Sequence, residues 1–263
     1  MHESALVGVQ LRAAYLHGSF DGARRFVAAP SGSVELDLEQ DLVAAVRVLD
    51  RGQLSLLLPM VETYRKVPGV AEGGGDLGDL QLGARWDFTF AGRSRVPGIA
   101  LSAGLVAPTG RAPEAARRPL ATDATGAGAA QLSAALALEQ AFGSWIVNVG
   151  GSVAWRGART VGALREQQGA QLVASLAGGY MLPGGALVAL TAAYSAELAP
   201  RLDGEAIPSG GRAATRVGLA GGYPFTGAWR MQATVFADLP VRFLGWSQPA
   251  SMGISFMLMR TSS

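Results

Sequence analysis

The chain has 263 residues, 49% of them hydrophobic and 16% charged, with a formal net charge of +2 and a mean hydropathy of +0.24. That balance is too apolar for an ordinary soluble domain, yet nowhere do about 18 uncharged apolar residues run together as a spanning helix requires. The lack of cysteine excludes disulfides, thiol catalysis and cysteine-based metal sites, and the lack of a Lys/Arg cluster leaves no footprint for nucleic acid.

A bilayer supplies no water to unpaired N–H and C=O groups, so a chain without spanning helices crosses it only as a closed barrel. The most apolar stretch, Leu172 to Ala196, is broken by Gly178, Gly179, Pro183, Gly184 and Gly185. Met1, His2, Glu3 and Ser4 lack the basic and apolar regions of a signal peptide, and the numbering is read as starting after signal cleavage. Residues 1–263 are expected to form one outer-membrane β-barrel domain.

Period-two alternation marks the strands, because successive side chains of a strand point to opposite faces. In the first, Val7, Val9, Leu11, Ala13 and Tyr15 oppose Gly8, Gln10 and Arg12. From Val34 to Val48 the even positions are almost all apolar, while Glu35, Asp37, Glu39, Asp41 and Arg47 hold odd ones. A helical period would scatter those charges round a cylinder. Leu54, Leu56, Leu58 and Met60 make the third apolar face. In the fourth, Leu80, Leu82, Trp86, Phe88 and Phe90 oppose Gln81, Arg85, Asp87 and Thr89. The pattern persists with smaller side chains through strands headed by Ile99, Leu132, Trp145, Leu172, Val188, Val217, Trp229 and Ile254, which brings the count to twelve.

Tight turns alternate with longer polar segments. The turns fall at Asp50-Arg51-Gly52, Ala91 to Pro97, Gly143-Ser144, Pro183-Gly184-Gly185 and Pro224 to Gly227. The long loops are read at His17 to Gly32, Lys66 to Gly78, Thr109 to Gly126, Gly157 to Gln168, Pro200 to Gly211 and Leu239 to Pro249. Short periplasmic turns and longer extracellular loops are the asymmetry of an outer-membrane barrel. Aromatic residues collect near both ends of the strands, as two interfacial girdles would. The fold class is therefore all-β, a closed antiparallel transmembrane barrel of about twelve strands. A soluble sandwich would place charges, not its larger apolar side chains, on the outer parity.

The inward parity gathers the candidate functional residues. Glu35, Asp37, Glu39 and Asp41 form an acidic ladder that must be hydrated, paired or approached by cations. It reads either as a selectivity stripe or, more ordinarily, as a network with Arg12 and with Arg24 or Arg25 of the first loop. Arg85, Arg156, Arg216 and Arg230 also point inward, where Asp87, Glu139, Glu197 and Asp238 are expected to balance them. His17-Gly18-Ser19 resembles the His-x-Ser spacing of outer-membrane phospholipases. Hydrolysis needs His and Ser in hydrogen-bond reach with a third orienting group, and the chain is read as no enzyme. With only two histidines, a histidine metal site is not expected, and no cofactor is implied.

The stretch Gly73-Gly74-Gly75-Asp76-Leu77-Gly78-Asp79 through Trp86, with Pro97-Gly98-Ile99 and Ala107-Pro108-Thr109-Gly110 after it, resembles outer-membrane barrels of the phenol-degradation meta-pathway family, also described as transporter-like. The resemblance implies passage of small hydrophobic or aromatic molecules and brings no catalytic residues with it. The expected function is a narrow passive channel for small solutes in the bacterial outer membrane, with membrane lipid and a small solute as partners. The alternative is a non-transporting barrel that anchors an envelope assembly of adhesion or gliding motility, marked by a lumen blocked by inward-folded loops.

Overall fold

The protein is described by a computed structural model over residues 4–92, 96–207 and 210–262. Met1, His2 and Glu3, and parts of the expected turn 91–97 and loop 200–211, lie outside the described residues. Among the described residues no helix is long and apolar enough to cross a membrane.

The chain runs through β1 (Ala5–Phe20), β2 (Phe26–Ala28), β3 (Val34–Arg47), β4 (Gly52–Val67), β5 (Val70–Leu77), β6 (Leu80–Thr89) and β7 (Gly98–Ala107). It continues with β8 (Gln131–Phe142), β9 (Trp145–Arg156), β10 (Ala158–Val161), β11 (Leu164–Gln167), β12 (Gln171–Met181) and β13 (Leu187–Glu197). The last elements are β14 (Arg201–Leu202), β15 (Glu205–Ala206), β16 (Arg212–Pro224), β17 (Trp229–Asp238), β18 (Gly245–Trp246) and β19 (Pro249–Ser262). Neighbours pair antiparallel in the ring β1-β3-β4-β6-β7-β8-β9-β12-β13-β16-β17-β19, and β19 pairs back onto β1. That is a closed barrel of twelve strands, with no edge left to seek hydrogen bonds in hydrocarbon.

Closure inverts the usual burial. Large apolar residues stand outside in number, among them Leu190 at 68% exposed and Val7 at 64%, an arrangement that a lipid solvent favours. Register keeps the two faces apart. Ala13 is flanked by Leu38 and Ile254 on the outer face, while Arg12 is flanked by Glu39 and Ser255 on the inner one. Glu35 and Leu36 likewise face opposite ways, Glu35 bonding Arg65 and Leu36 sitting in register with Tyr15 and Tyr64.

Five of the expected loops contain strands: 17–32 holds the end of β1 and its partner β2, 239–249 holds β18, which pairs with β16, and three more are structured at greater length. The segment 66–78 is a hairpin: Val67 pairs with Val70 across Pro68-Gly69, with Gly69 at φ +88°, and β5 continues along the outer end of β4. Its glycines read as loop, but they permit close approach, since a Cβ on Gly75 would lie 2.5 Å from the Val61 carbonyl oxygen. Between β5 and β6 the register on β4 slips by one residue, Met60 facing Leu77 but Leu57 facing Gln81. The segments 157–168 and 200–211 contribute β10, β11, β14 and β15, a separate four-stranded sheet beyond the extracellular ends.

Candidate functional site

The lumen carries the chain's inward polar groups in three zones. In the extracellular half, the Arg65 guanidinium donates to Glu35 at 3.0 Å, Thr63 Oγ1 donates to Asp37 at 2.9 Å, and Arg12 donates to Glu39 at 2.9 Å. On the far wall, Arg156 reaches Glu197 together with Gln131 and Gln171, and Arg212 shares the same carboxylate. Arg216 grips Asp238 with two hydrogen bonds of 2.9 Å, and Ser251 adds its N–H. The Phe236 ring lies on the lumen side between two cations, with Arg216 at 4.7 Å and Arg12 at 5.2 Å from its centroid.

The acidic ladder is thus mostly a satisfied network. Its partners differ from those expected at one end: Arg25 pairs with Asp21 in the first loop, and the ladder is met by Arg65. Arg65 was missed because the apolar run on its strand ends at Met60, though it keeps the odd, inward parity. Asp41 stands apart. It is 4% exposed, and its buried Oδ1 has no hydrogen-bond partner. Beside it lie Gln10 and Pro59 in register.

A belt of small residues crosses the middle of the wall. Gly83 pairs with Ser55, Gly104 with Ser133, Gly150 with Ser175 and Gly218 with Thr191. In each pair the hydroxyl occupies the space a glycine Cβ would take, at 2.6 Å for Gly104 and 2.7 Å for Gly150 and Gly218. Each hydroxyl lies flat across its neighbour instead of projecting, which keeps this part of the wall low and uncharged. A cavity of about 300 Å³ opens against it, lined by Val43, Ser55, Leu57, Gln81, Ser102 and Ser133 among others.

At the periplasmic end Arg85 pairs with Asp87 at 2.9 Å, and Glu139, Asn148 and Arg47 line the same polar recess of about 330 Å³. Glu139 is exposed and pairs with no cation among the described residues. Arg230 has inward parity in register with Met259 and Pro224.

The segment 109–126, read from the sequence as a long extracellular loop, packs inside the extracellular mouth against β4 and β5. Arg65 donates to the Leu120 carbonyl at 2.7 Å, Glu72 accepts the Leu120 N–H at 2.9 Å, and Thr122 is fully buried against the inner side of Gly74. Asp123 holds the fold of this segment. Burial opposes its charge, but the Arg117 N–H, the Arg111 guanidinium and the Arg118 N–H outweigh that and hold its carboxyl down to about 2.

His17 and Ser19 do not form a catalytic pair. His17 Nε2 lies 3.2 Å from the Asp238 carbonyl oxygen, and its ring packs on Phe26 at 5.2 Å. Among the described residues no group of three or more His, Cys, Asp or Glu is arranged to hold a metal ion.

Solved structures share the architecture. An outer membrane channel from Pseudomonas putida F1 matches with a TM-score of 0.80 at 17% identity, over 99% of this chain and 96% of that one. The translocator domain of the autotransporter NalP from Neisseria meningitidis gives 0.59 at 12% identity, over 100% and 90%. The transport unit of the autotransporter AIDA-I from Escherichia coli gives 0.53 at 7%, over 100% and 91%. At such identities the likeness is one of fold, that of a barrel in the bacterial outer membrane. No curated protein matches the sequence. A family model does match, over residues 22–242, and the chain belongs to that family, described as "Putative MetA-pathway of phenol degradation".

Proposed function

We propose that the barrel is a narrow passive channel for small, apolar or aromatic solutes, and not an enzyme. The observation that carries this reading is the Gly–Ser/Thr belt, which lines the middle of the lumen with low, uncharged residues between two charged ends. Next to it Val43, Leu57 and Ala135 offer apolar surface to a solute in the 300 Å³ cavity. A path of this kind penalises a phenol-sized molecule little for desolvation, whereas a strongly hydrated ion gives up more of its shell. The paired charges at both ends keep the mouths wetted. Membership of a family described by phenol degradation agrees with that solute class.

The test is reconstitution. In liposomes loaded with a reporter enzyme, phenol or a comparable aromatic should enter faster with the protein than without it, and faster than a sugar of similar size. Planar bilayers should show small, steady conductance. Neither flux nor conductance from protein verified as folded would overturn the reading. The tuck of residues 109–126 into the mouth favours a second reading, a non-transporting barrel that anchors an envelope assembly. That reading requires both a silent bilayer and a protein partner that co-purifies.

A further inference from the structure

Outside the lumen, a concavity lies on the lipid face at the periplasmic end of the seam where β19 closes on β1. It measures about 660 Å³ and is lined by Val7, Val9, Leu258, Trp229, Arg260 and Thr261 among others. Val7, Val9, Leu258 and Trp229 share the outward parity, and so does Arg260, which stands in register between Val7 and Trp229. A guanidinium on a face that is otherwise apolar needs an anion or water at its tip. Among the described residues no carboxylate pairs with it. Its guanidinium lies over the Trp229 indole, 5.9 Å from Cζ to ring centroid. The Trp229 ring is itself stacked on Phe225 at 6.4 Å, and its backbone N–H donates to Thr226 Oγ1, which ties the start of the strand to the turn.

The depth is also set. Trp229 belongs to the girdle beside the periplasmic turns, where headgroups lie. One outward position further into the membrane stands Leu258, flanked by Val9 and Met231, about 7 Å above Arg260 at the rise of a strand. Cation at headgroup level and apolar channel above it match the two ends of one molecule.

We propose that this groove is a binding site for a phospholipid of the periplasmic leaflet, Arg260 holding the phosphate against Trp229 while an acyl chain lies along Val7, Val9 and Leu258. The phosphate takes two N–H donors of the planar guanidinium, a geometry that a lysine would not reproduce. This assignment is independent of what crosses the lumen, because it concerns the opposite face of the wall.

Native mass spectrometry of the folded, delipidated protein titrated with dioleoyl phosphatidylglycerol tests it. The first lipid should bind about tenfold more weakly to R260Q, the size of one lost charge-assisted contact, and unchanged to R25Q at the opposite rim. On the wild-type protein, dioleoylglycerol, which lacks the phosphate, should also bind about tenfold more weakly. Equal binding of phosphatidylglycerol to R260Q and wild type would overturn the site. Should R260Q fail to fold, equal binding of the two lipids to wild type would overturn it instead. Displacement of the lipid by inorganic phosphate, or a dimer that excludes lipid from the groove, would overturn the lipid as its occupant.

Discussion

Arg216 on β16 and Asp238 on β17 meet as a two-pronged pair, both prongs 2.9 Å long, with the carboxylate 2% exposed and the guanidinium stacked on Phe236. The carboxylate also accepts the N–H and Oγ of Ser251 on β19. One side chain therefore ties three strands together just inside the extracellular rim, next to the seam. Asp238→Ala leaves Arg216 and Ser251 without their acceptor. A fully buried pair broken in this way costs about 3–5 kcal/mol, but the Arg216 side chain is 39% exposed and recovers water, so the expected loss is about 2 kcal/mol. Urea unfolding of the micelle-bound protein, followed by tryptophan fluorescence, measures it. A loss below about 0.5 kcal/mol would mean that the pair is ornamental, in the manner of exposed surface bridges.

How much of this was legible beforehand depends on the range of the interaction. The parity of Val34 to Val48 is a local property, and a closed barrel follows from it because lipid accepts only one face. Arg12 with Glu39 could be anticipated, since both residues keep inward parity on adjacent strands. Arg65 could have been found by carrying the parity of its strand past Met60. The hairpin at Pro68-Gly69 was hidden by Gly73, Gly74 and Gly75, whose composition signals loop while their lack of side chains is what lets the segment lie close to β4 and Thr122. The tuck of residues 109–126 had no local signal at all. It rests on bonds such as Arg65 to the Leu120 carbonyl, between a side chain and a backbone oxygen 55 residues away, and pattern does not encode those.

Asp41 provides the contrasting case to Asp238. Its buried oxygen has no donor, although Arg12 stands one inward position away and is committed to Glu39. An unsatisfied buried polar group costs about 1–3 kcal/mol and a charged one more. Asp41→Asn keeps the shape and removes the charge. Its unfolding midpoint is expected to equal or exceed that of the wild type, by up to about 1 kcal/mol in stability, while Glu39→Gln, which frees Arg12, should lower it. Loss of stability in Asp41→Asn larger than in Glu39→Gln would show that the carboxylate has a partner after all.

The Asp123 anchor makes the segment 109–126 sensitive to acid. The folded carboxyl titrates at about 2, below the ordinary aspartate value of about 3.9 that it regains when the segment detaches. A group depressed in this way stabilises the folded arrangement fully above the higher value. That contribution is lost as pH falls through the window towards the lower one. Hydrogen exchange of residues 109–126, compared between pH 6 and pH 2.5, should show protection falling with acid in the wild type. In Asp123→Asn, protection should be weaker at pH 6 and should change little between the two values. Equal acid sensitivity in both would move the responsible group elsewhere, with Glu72, which accepts the Leu120 N–H, the next to test.

The assignment of faces makes the sharpest demand, because neighbouring residues must respond oppositely. Leu176 on β12 is outward and 53% exposed, in register with Val149 and Ala192, while Ala177, one residue on, is inward beside Asn148 and Thr191. An arginine on the lipid face near the middle of the bilayer costs about 2–4 kcal/mol, because no water reaches it. Leu176→Arg should therefore lose stability by that amount in the same urea assay. Ala177→Arg places the identical charge in the wetted interior and should cost less than about 1 kcal/mol. It should instead lower the bilayer conductance and shift the reversal potential in a salt gradient towards anion preference, since a fixed positive charge now stands in the path. The same comparison separates the barrel from a soluble sheet of equal strand count: there Leu176→Arg would be mild and Ala177→Arg, buried in a packed core, the severe one.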